Sequence, residues 1–218
     1  MKYLTRLIQI IFFLLFVFLI QRGKMLLWLA IYAISLLLAL VFGRIYCGYI
    51  CPMNTLMIPT EWLSKKLNLQ TDRTPKWLQS AKVAWISMFV SIALMLFAKR
   101  VLNKNIPILL IWLFISVIIT LRYKPSIFHN LLCPFGPLQK IFGKLSLFSE
   151  VVYTDGCIGC KKCEGVCPSN AISVKSEDKK AVIDTGKCFQ CTNCSQICPS
   201  DTIHYSRNKK GKTSTVNI

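Results

Sequence analysis

Eight of the eleven cysteines fall into two short runs that repeat one spacing. Residues 157–168 read C-I-G-C-K-K-C-E-G-V-C-P, and residues 188–199 read C-F-Q-C-T-N-C-S-Q-I-C-P. Three thiolates at this spacing can surround three irons of one cubane cluster, whereas the turn that achieves this directs the fourth cysteine away. We therefore expect each run to contribute its last cysteine to the cluster of the other run.

This exchange predicts two interlocked ligand sets. The first set is Cys157, Cys160, Cys163 and Cys198, and the second set is Cys188, Cys191, Cys194 and Cys167. Structural zinc is the main alternative, but zinc sites usually have paired C-x2-C knuckles without a third cysteine and a following proline. No disulfide framework of a small secreted domain requires this spacing, so the cysteines are predicted to be metal ligands in a reducing compartment.

Residues 155–205 resemble the bacterial two-cluster ferredoxin family through these two runs and the proline that ends each of them. The resemblance implies two [4Fe–4S] clusters about a pseudo-two-fold axis. It also implies short β-hairpins from segments such as Ile172–Val174 and Ala181–Ile183. Such a domain stores single electrons and passes them on, at potentials set by hydrogen bonds to sulfur, solvent exposure and nearby charge.

The other three cysteines lie in two related motifs. Cys47 and Cys51 belong to F-G-R-I-Y-C-G-Y-I-C-P, and Cys133 belongs to H-N-L-L-C-P-F-G-P-L, in which His129 stands four residues before the cysteine. Residues four apart on a helical turn face the same way, so each motif presents two ligands on one side. We predict that these three cysteines and His129 hold a metal centre.

Four interpretations of this second group remain open. They are a third iron–sulfur centre, a copper or other single-metal site, a dithiol that reacts with quinone, and local packing without a redox role. If the centre contains iron and sulfur, the imidazole of His129 would raise its potential, because a neutral donor replaces an anionic one.

Four apolar segments must position these motifs. They are Leu4–Ile20, Met25–Phe42, Val83–Phe97 and Ile106–Leu121, each near the ~20 residues that cross a bilayer core. The 218-residue chain is 54% hydrophobic, which is typical of a membrane protein. The first segment could be a signal peptide, but no small-residue cleavage site follows it. We therefore predict four transmembrane helices.

The basic residues predict the orientation of these helices. An even number of crossings places both termini and the loop 43–82 on one side, which carries Lys2, Arg6, Arg44, Lys65, Lys66, Arg73, Lys76 and Lys82. The other side carries Arg22, Lys24, Lys99, Arg100 and Lys104. By the positive-inside rule the first side is cytoplasmic, in the inner membrane of a prokaryote. The net charge of +18 does not indicate nucleic-acid binding, because the basic residues are scattered and no recognition motif accompanies them.

The predicted fold class is a membrane-embedded α-helical bundle of four helices joined to a small α+β ferredoxin-like domain. The helical domain covers residues 1–150, the cytoplasmic ferredoxin domain covers 151–206, and a basic tail covers 207–218. Within the cytoplasmic loop, Pro59–Leu67 predicts an amphipathic helix that Thr60 caps. This helix would lie along the membrane interface or pack on the soluble domain.

With these helices, the two membrane-edge motifs and the two cysteine runs, nearly the whole chain resembles the polyferredoxin membrane subunits of the NapH type. Those subunits are the quinol dehydrogenase component of periplasmic nitrate reduction. The C-terminal half of NosR-type proteins and copper-handling accessory proteins of the CcoG type are similar. NapH-type and NosR-type proteins usually carry C-x3-C-P in both membrane-edge motifs, so His129 is a departure. The resemblance implies electron transfer between membrane quinone and a redox partner.

The predicted function is that of a membrane-bound electron-transfer protein, a component of an oxidoreductase rather than a complete enzyme. A copper-reducing assembly factor and a redox sensor are the alternatives. Haem is disfavoured, because the two histidines, His129 and His204, lie outside the apolar segments. Arg44, Tyr46, Tyr49 and Arg122 could line a quinone pocket near the thiols, although no acid stands beside them in the sequence as a proton acceptor.

Overall fold

The computed structural model describes residues 2–71, 82–101, 108–208 and 215–216. Helices occupy most of this part of the chain. They are α1 Lys2–Gln21, α2 Met25–Phe42, a first π-helix Tyr46–Ile50, α3 Pro52–Lys66, α4 Lys82–Val101, α5 Ile108–Arg122, α6 Pro125–Ile127, a second π-helix Phe128–Leu132, α7 Gly136–Lys144, α8 Lys162–Gly165 and α9 Asn193–Ile197. The strands are β1 Phe148–Tyr153, β2 Ile172–Val174, β3 Ala181–Ile183, β4 Ile203–Arg207 and β5 Thr215–Val216.

Within the described residues, three helices are long and apolar enough to cross a membrane: Tyr3–Gln21, Met25–Phe42 and Lys82–Val101. They expose many large apolar side chains, which favours a membrane location. The fourth apolar helix, α5, is shorter at 15 residues, and residues 102–107 before it lie outside the described part of the chain. The start of the predicted fourth span therefore falls on residues that are not described, and a fourth crossing stays a prediction.

Several other predictions concern residues that the structure does not describe. Arg73, Lys76 and Lys104, which entered the orientation argument, lie outside the described residues, as do the lysines at 209, 210 and 212. Of the predicted basic tail 207–218, the structure describes residues 207–208 and 215–216. Arg207 is the last residue of β4, and Thr215–Val216 pair with β1 as a short strand.

The packing of Cα atoms divides the chain into two compact units. The first unit contains Met1–Ile11, Leu26–Ile50 and Leu138–Ile218, and the second contains Phe12–Met25 and Cys51–Pro137. Of the predicted membrane-edge ligands, Cys47 falls in the first unit, and Cys51, His129 and Cys133 fall in the second. The ferredoxin-like strands begin at Phe148, three residues before the predicted domain start.

The first unit contains both sheets. Strand β1 pairs antiparallel with β4, with Val151 opposite His204, and parallel with β5. Strands β2 and β3 form an antiparallel hairpin with Ile172 opposite Ile183, which confirms the hairpin expected for these segments. The buried core joins Val152, Ile172 and Ile183 to the cysteine side chains, so the sheets and the cysteine runs form one packed body.

Helix α2 and the turn after it also belong to this packed body. Gln139 donates a hydrogen bond from Nε2 to Ser35 Oγ at 2.9 Å, and the Leu147 amide donates to the Leu40 carbonyl at 3.0 Å. Gly48 in the first π-helix lies directly against the carbonyl of Phe189. A side chain at residue 48 would collide with this backbone, so glycine permits the close approach.

The second unit contains α3, α4, α5 and the second π-helix. Helix α3 packs along α5, and Ser64 Oγ donates to the Leu121 carbonyl at 2.6 Å. The second π-helix packs against α4, where Ser87 Oγ donates to the Leu132 carbonyl at 2.7 Å. Hydrogen bonds from small hydroxyl side chains to carbonyls thus join the apolar helices of this unit.

The predicted start of the amphipathic helix at Thr60 was wrong. Helix α3 begins at Pro52, and Pro59 lies inside it. Thr60 Oγ1 donates to the Leu56 carbonyl at 2.8 Å, a bond back along the helix rather than a cap. Proline is favourable in the first helical turn because no intrahelical partner is lost there, so Pro52, and not Pro59, marks the start.

Replacement of Gly48 by alanine tests the close approach of the first π-helix to the Phe189 backbone. Because the new Cβ would meet a carbonyl rather than a flexible side chain, we expect a loss of about 1 to 3 kcal/mol of stability. The measurement is the thermal denaturation midpoint of the detergent-purified protein. Gly165→Ala is the matched control, because a Cβ at residue 165 meets no atom within 4 Å. Equal effects of the two variants would contradict the described packing.

Candidate metal centres

The first run of cysteines borders a cavity of about 340 Å³, including the space that opens to solvent. The four cysteines in its wall are Cys157, Cys160, Cys163 and Cys198. The apolar part of the wall includes Ile158, Val174 and Ile203. Three sulfurs thus come from the first run and the fourth from the second run, which is the composition of the first predicted ligand set.

The second run borders a cavity of similar size, about 320 Å³. Its four cysteines are Cys167, Cys188, Cys191 and Cys194. Glu150 from β1 and Phe189, which directly follows Cys188, complete part of the wall. The wall again takes three cysteines from one run and one from the other, as in the second predicted set.

Left-handed backbone turns place the cysteines around both cavities. Gly159 and Gln190 have positive φ, and so do Lys161 and Thr192, which immediately precede α8 and α9. Gly159 and Gln190 are each the third residue of their run, and Lys161 and Thr192 are each the fifth. A positive φ is uncommon at residues other than glycine. Its recurrence at matching positions shows that the two runs repeat in backbone conformation as well as in sequence.

The fourth cysteine of each run receives similar hydrogen bonds. The Ala171 amide donates to Cys167 Sγ at 3.2 Å, and Thr202 Oγ1 lies 3.4 Å from Cys198 Sγ. Burial alone would raise the pKa of Cys198, but hydrogen bonds from Thr202 and from nearby backbone amides outweigh it, so the pKa lies below its usual value. Such donors stabilise a thiolate, which is the form that binds metal.

The two cavities differ in exposure. In the first, Cys160 is exposed and the side chain of Ile158 is 67% exposed, whereas in the second both Cys188 and Cys194 are buried. Burial raises the pKa of Cys163 and of Cys191 to about 11, and it also raises the pKa values of Cys188 and Cys194. Without a bound cation these thiols therefore stay protonated, and metal binding must release their protons.

Two side chains near the second cavity gave no signal in the sequence. Gln190 lies between Cys188 and Cys191, and its Oε1 accepts a hydrogen bond from the Glu150 amide at 3.0 Å. Its Nε2 donates to Ser149 Oγ at 3.0 Å, so this amide joins the cysteine loop to β1. Glu150 is 1% exposed, and its Oε2 has no hydrogen-bond partner in the described residues. Only strand pairing and loop packing bring these residues to the cavity.

Both membrane-edge motifs adopt one local conformation. In each, the first predicted ligand lies within a five-residue π-helix, and the second ligand, Cys51 or Cys133, directly follows that helix with ψ near 120°. The proline after Cys51 and after Cys133 disfavours the helical conformation at the cysteine, which explains the break. The sequence predicted an ordinary helical turn here, and the structure has the wider π form, which is frequent at functional sites.

All four predicted membrane-edge ligands are buried. Cys47 lies in the first unit and receives a hydrogen bond from Arg44 Nη2, 3.5 Å from its Sγ. In the second unit Cys133 follows the second π-helix, and the His129 ring packs edge-on against Phe128 at 5.7 Å between ring centroids. Cys51 occupies the N-cap position of α3. Within the described ranges, no three His, Cys, Asp or Glu side chains are grouped as ligands of a single metal ion.

The residues predicted to line a quinone pocket have internal partners. In the first unit, Tyr46 accepts a hydrogen bond from Trp28 Nε1 at 3.0 Å, and the Tyr49 hydroxyl donates to the Gln190 carbonyl at 3.0 Å. In the second unit, Arg122 donates to the Leu69 carbonyl at 3.0 Å. The quinone pocket remains a prediction.

Comparisons with known proteins agree with this geometry. The family described as 4Fe-4S binding domain matches residues 25–70 and 105–150, which include both membrane-edge motifs. The family described as 4Fe-4S dicluster domain matches residues 156–202. No solved structure is significantly similar to the chain.

Several curated proteins are similar. The putative electron transport protein YccM of Escherichia coli is 30% identical, over 69% of this chain and 47% of YccM. The methylamine utilization ferredoxin-type protein MauN of Paracoccus denitrificans is 27% identical, over 65% of this chain and 54% of MauN. The ferredoxin-type protein NapH of Haemophilus influenzae is 26% identical, over 62% of this chain and 51% of NapH. The chain thus spans about half the length of these relatives.

The fold and the cavities define the class of the protein as an iron–sulfur protein of the ferredoxin type whose helices are apolar enough for a membrane. More specifically, the chain is similar to the ferredoxin-type proteins NapH and MauN, and it matches 4Fe-4S domains both in its helical part and in its C-terminal part. The polyferredoxin resemblance expected from the motifs is confirmed.

Glu150→Gln tests the cost of the buried carboxyl beside the second cavity. Burial raises the pKa of Glu150, so the folded state disfavours its ionised form. The stability of the wild type relative to the variant should therefore fall as the pH rises above about 4.3, the ordinary value, and level off above the raised value. The measurement is the denaturation midpoint of the cluster-loaded protein from about pH 5 to pH 8. The same change at the exposed Glu177 is the control, and identical pH profiles for both variants would contradict the argument.

Proposed function

We propose that the protein is a membrane-anchored carrier of single electrons between the quinone pool and a redox partner protein. Two [4Fe–4S] clusters would occupy the two cavities of the C-terminal domain. The observation that supports this most directly is the composition of the two walls, each with three cysteines of one run and one of the other. Four sulfurs around one cavity suit a cubane cluster, which supplies one-electron chemistry when bound.

The residues of the chain would hold and tune these clusters. The first cluster would use Cys157, Cys160, Cys163 and Cys198, and the second would use Cys188, Cys191, Cys194 and Cys167. Hydrogen bonds to Cys167 and Cys198 and the apolar walls would set their potentials. Because the second cavity is more buried, the reduction potential of its cluster would be less sensitive to solvent than that of the first cluster.

The helical part would place these clusters beside a membrane. We propose that α5, extended by the residues before it, completes a bundle of four crossings. The distribution of basic residues supports a cytoplasmic position for the termini and the cluster domain. Under this arrangement the quinone site and the cluster domain share one side of the bilayer, so electrons need not cross it.

A third centre at the membrane edge is part of the proposal. Cys47, Cys51, Cys133 and His129 would be its ligands. Both motifs lie in segments that match a 4Fe-4S binding domain, and they share one π-helical conformation. NapH and MauN are named as ferredoxin-type proteins and YccM as a putative electron transport protein, which supports the transfer of electrons. The link to quinone rests on the resemblance to the NapH type.

Serine substitutions test the exchange of the fourth cysteine between the runs. If Cys198 serves the first cluster, the double variant Cys160→Ser with Cys198→Ser should lose no more iron than either single variant. By contrast, Cys191→Ser with Cys198→Ser should lose both clusters of the C-terminal domain, a loss of about eight irons per chain. The measurement is iron and sulfide content after anaerobic purification. The reverse pattern would show that each run binds its own four-cysteine cluster.

Reduction by quinol tests the function as a whole. In proteoliposomes, a membrane quinol should bleach the visible absorbance of the clusters, and Cys47→Ser should slow this reduction while dithionite still reduces the C-terminal clusters. A colourless protein that contains zinc would contradict the iron–sulfur assignment. A coloured protein that ignores quinol and retains copper at Cys47 and Cys51 would instead favour a metal-handling role.

A further inference from the structure

Arg44 is a buried cation, and no carboxylate among the described residues forms an ion pair with it. Its side chain is 1% exposed, and a guanidinium stays charged at any physiological pH. The ion pairs between described residues join Lys65 to Glu61 and Lys187 to Asp184, and none of them involves Arg44. Its Nε has no hydrogen-bond partner in the described residues. Burying a charge costs free energy unless neighbouring polar groups compensate it. The groups that contact the guanidinium therefore indicate its role.

The guanidinium contacts two regions that carry predicted ligands, both in the first unit. Nη2 lies 3.5 Å from Cys47 Sγ, the first sulfur of the membrane-edge motif. Nη1 donates to the Gly186 carbonyl at 3.1 Å, just before the second cysteine run. The guanidinium carbon also stacks on the ring of Phe189, 5.1 Å from its centroid.

Phe189 connects this contact to the second cavity. It directly follows Cys188, its side chain is 1% exposed, and it is part of the cavity wall. Gly48 approaches its carbonyl, and the Tyr49 hydroxyl donates to the next carbonyl, that of Gln190, at 3.0 Å. A continuous series of close contacts therefore runs from the Cys47 sulfur through Arg44 and Phe189 to the second cavity.

The first cavity has a different environment. Its wall contains the exposed Cys160, and Ile158 and the exposed Lys161 and Lys162 adjoin it. This is the surface at which a soluble protein could approach a cluster. The two cavities thus differ in their neighbours, one facing solvent and the other packed against the membrane-edge motif.

We propose that Arg44 is a positioning residue that couples the Cys47 sulfur to the second cavity, so that electrons enter or leave the ferredoxin domain at the second cluster. The first cluster then meets the soluble partner. This inference rests on the proposed function, because it requires a redox centre at each end. With both centres bound, the centre held at Cys47 and the second cluster would exchange one electron, so that one is oxidised and the other reduced by one unit. No bond in the chain would break, and Arg44 would contribute its contacts and its charge.

The positive charge of Arg44 has a measurable consequence. A cation beside a cluster stabilises the reduced, more negative state and so raises the reduction potential. Because Arg44 contacts the loop of the second cavity, its charge should act on the second cluster more than on the first. A side chain that only filled space would not produce this selective shift.

The experiment is a redox titration, followed by EPR, of the full chain purified anaerobically. Arg44→Met should lower the potential of the second cluster more than that of the first, and Arg44→Lys should restore most of the shift, because the charge remains. Cys160→Ser and Cys191→Ser assign the two signals. Arg22→Met is the matched control, because Arg22 also stacks on a phenylalanine, Phe18, at 5.3 Å but is exposed. It should leave both potentials unchanged.

Equal shifts of both clusters, no shift of the second, or a lysine variant that behaves like methionine would overturn the coupling. If Arg44→Met loses iron, the comparison of Arg44→Gln with Arg44→Lys replaces it, with the same expectation for the charge. Loss of iron in every Arg44 variant would show a purely structural role and also overturn the inference. A wild type without iron–sulfur signals would instead overturn the proposed function, so the two failures are distinguishable.

Discussion

The constraint on which the rest of this structure depends is that a short loop directs three sulfurs at one point and the fourth away from it. A chain with two such loops can satisfy both if the loops exchange their last cysteines. The exchange requires the two runs to lie face to face, and the pairing of the hairpin and of β1 with β4 keeps them there. The left-handed residues before α8 and α9 give both loops the same curvature. The strand pairing that defines the fold thus also holds the two cysteine runs in the arrangement that the exchange needs.

Burial gives this arrangement its chemical character. The apolar wall that surrounds the thiols raises their pKa values, so without bound iron the neutral thiol is favoured over the thiolate. Bound iron reverses this preference, and its binding energy therefore contributes to folding. The same burial surrounds Glu150 and Arg44, one carboxyl and one guanidinium held away from water near the second cysteine run. Charges in such surroundings act strongly on neighbouring redox centres, because little solvent screens them.

Within the first unit, the apolar helix α2 and the cluster domain pack directly against each other. Helix α2 and its π-helical extension pack against the second cysteine run through Gly48, Tyr49 and Arg44. The sequence suggested a boundary near residue 150, because composition changes there. Packing joins segments on both sides of that boundary, since the buried face of α2 needs partners, and α7 and Leu147, the residue before β1, supply them. A change of composition marks where the chain leaves an apolar environment, not where a packed body begins.

The sequence by itself determined the features that depend on local spacing. Periodicity and ligand spacing are properties of a few neighbouring residues. They therefore predicted the cysteine repeat, three of the four apolar helices, and the hairpin at Ile172–Val174 and Ala181–Ile183. Tertiary structure decided what depends on contact between distant residues. It placed Arg44 on Phe189, brought Glu150 to the wall of the second cavity, joined Gln190 to β1, and extended α3 back to Pro52. None of these residues has a distinctive spacing, and each acquires its role from a neighbour brought close by folding, so only the packed structure could show it.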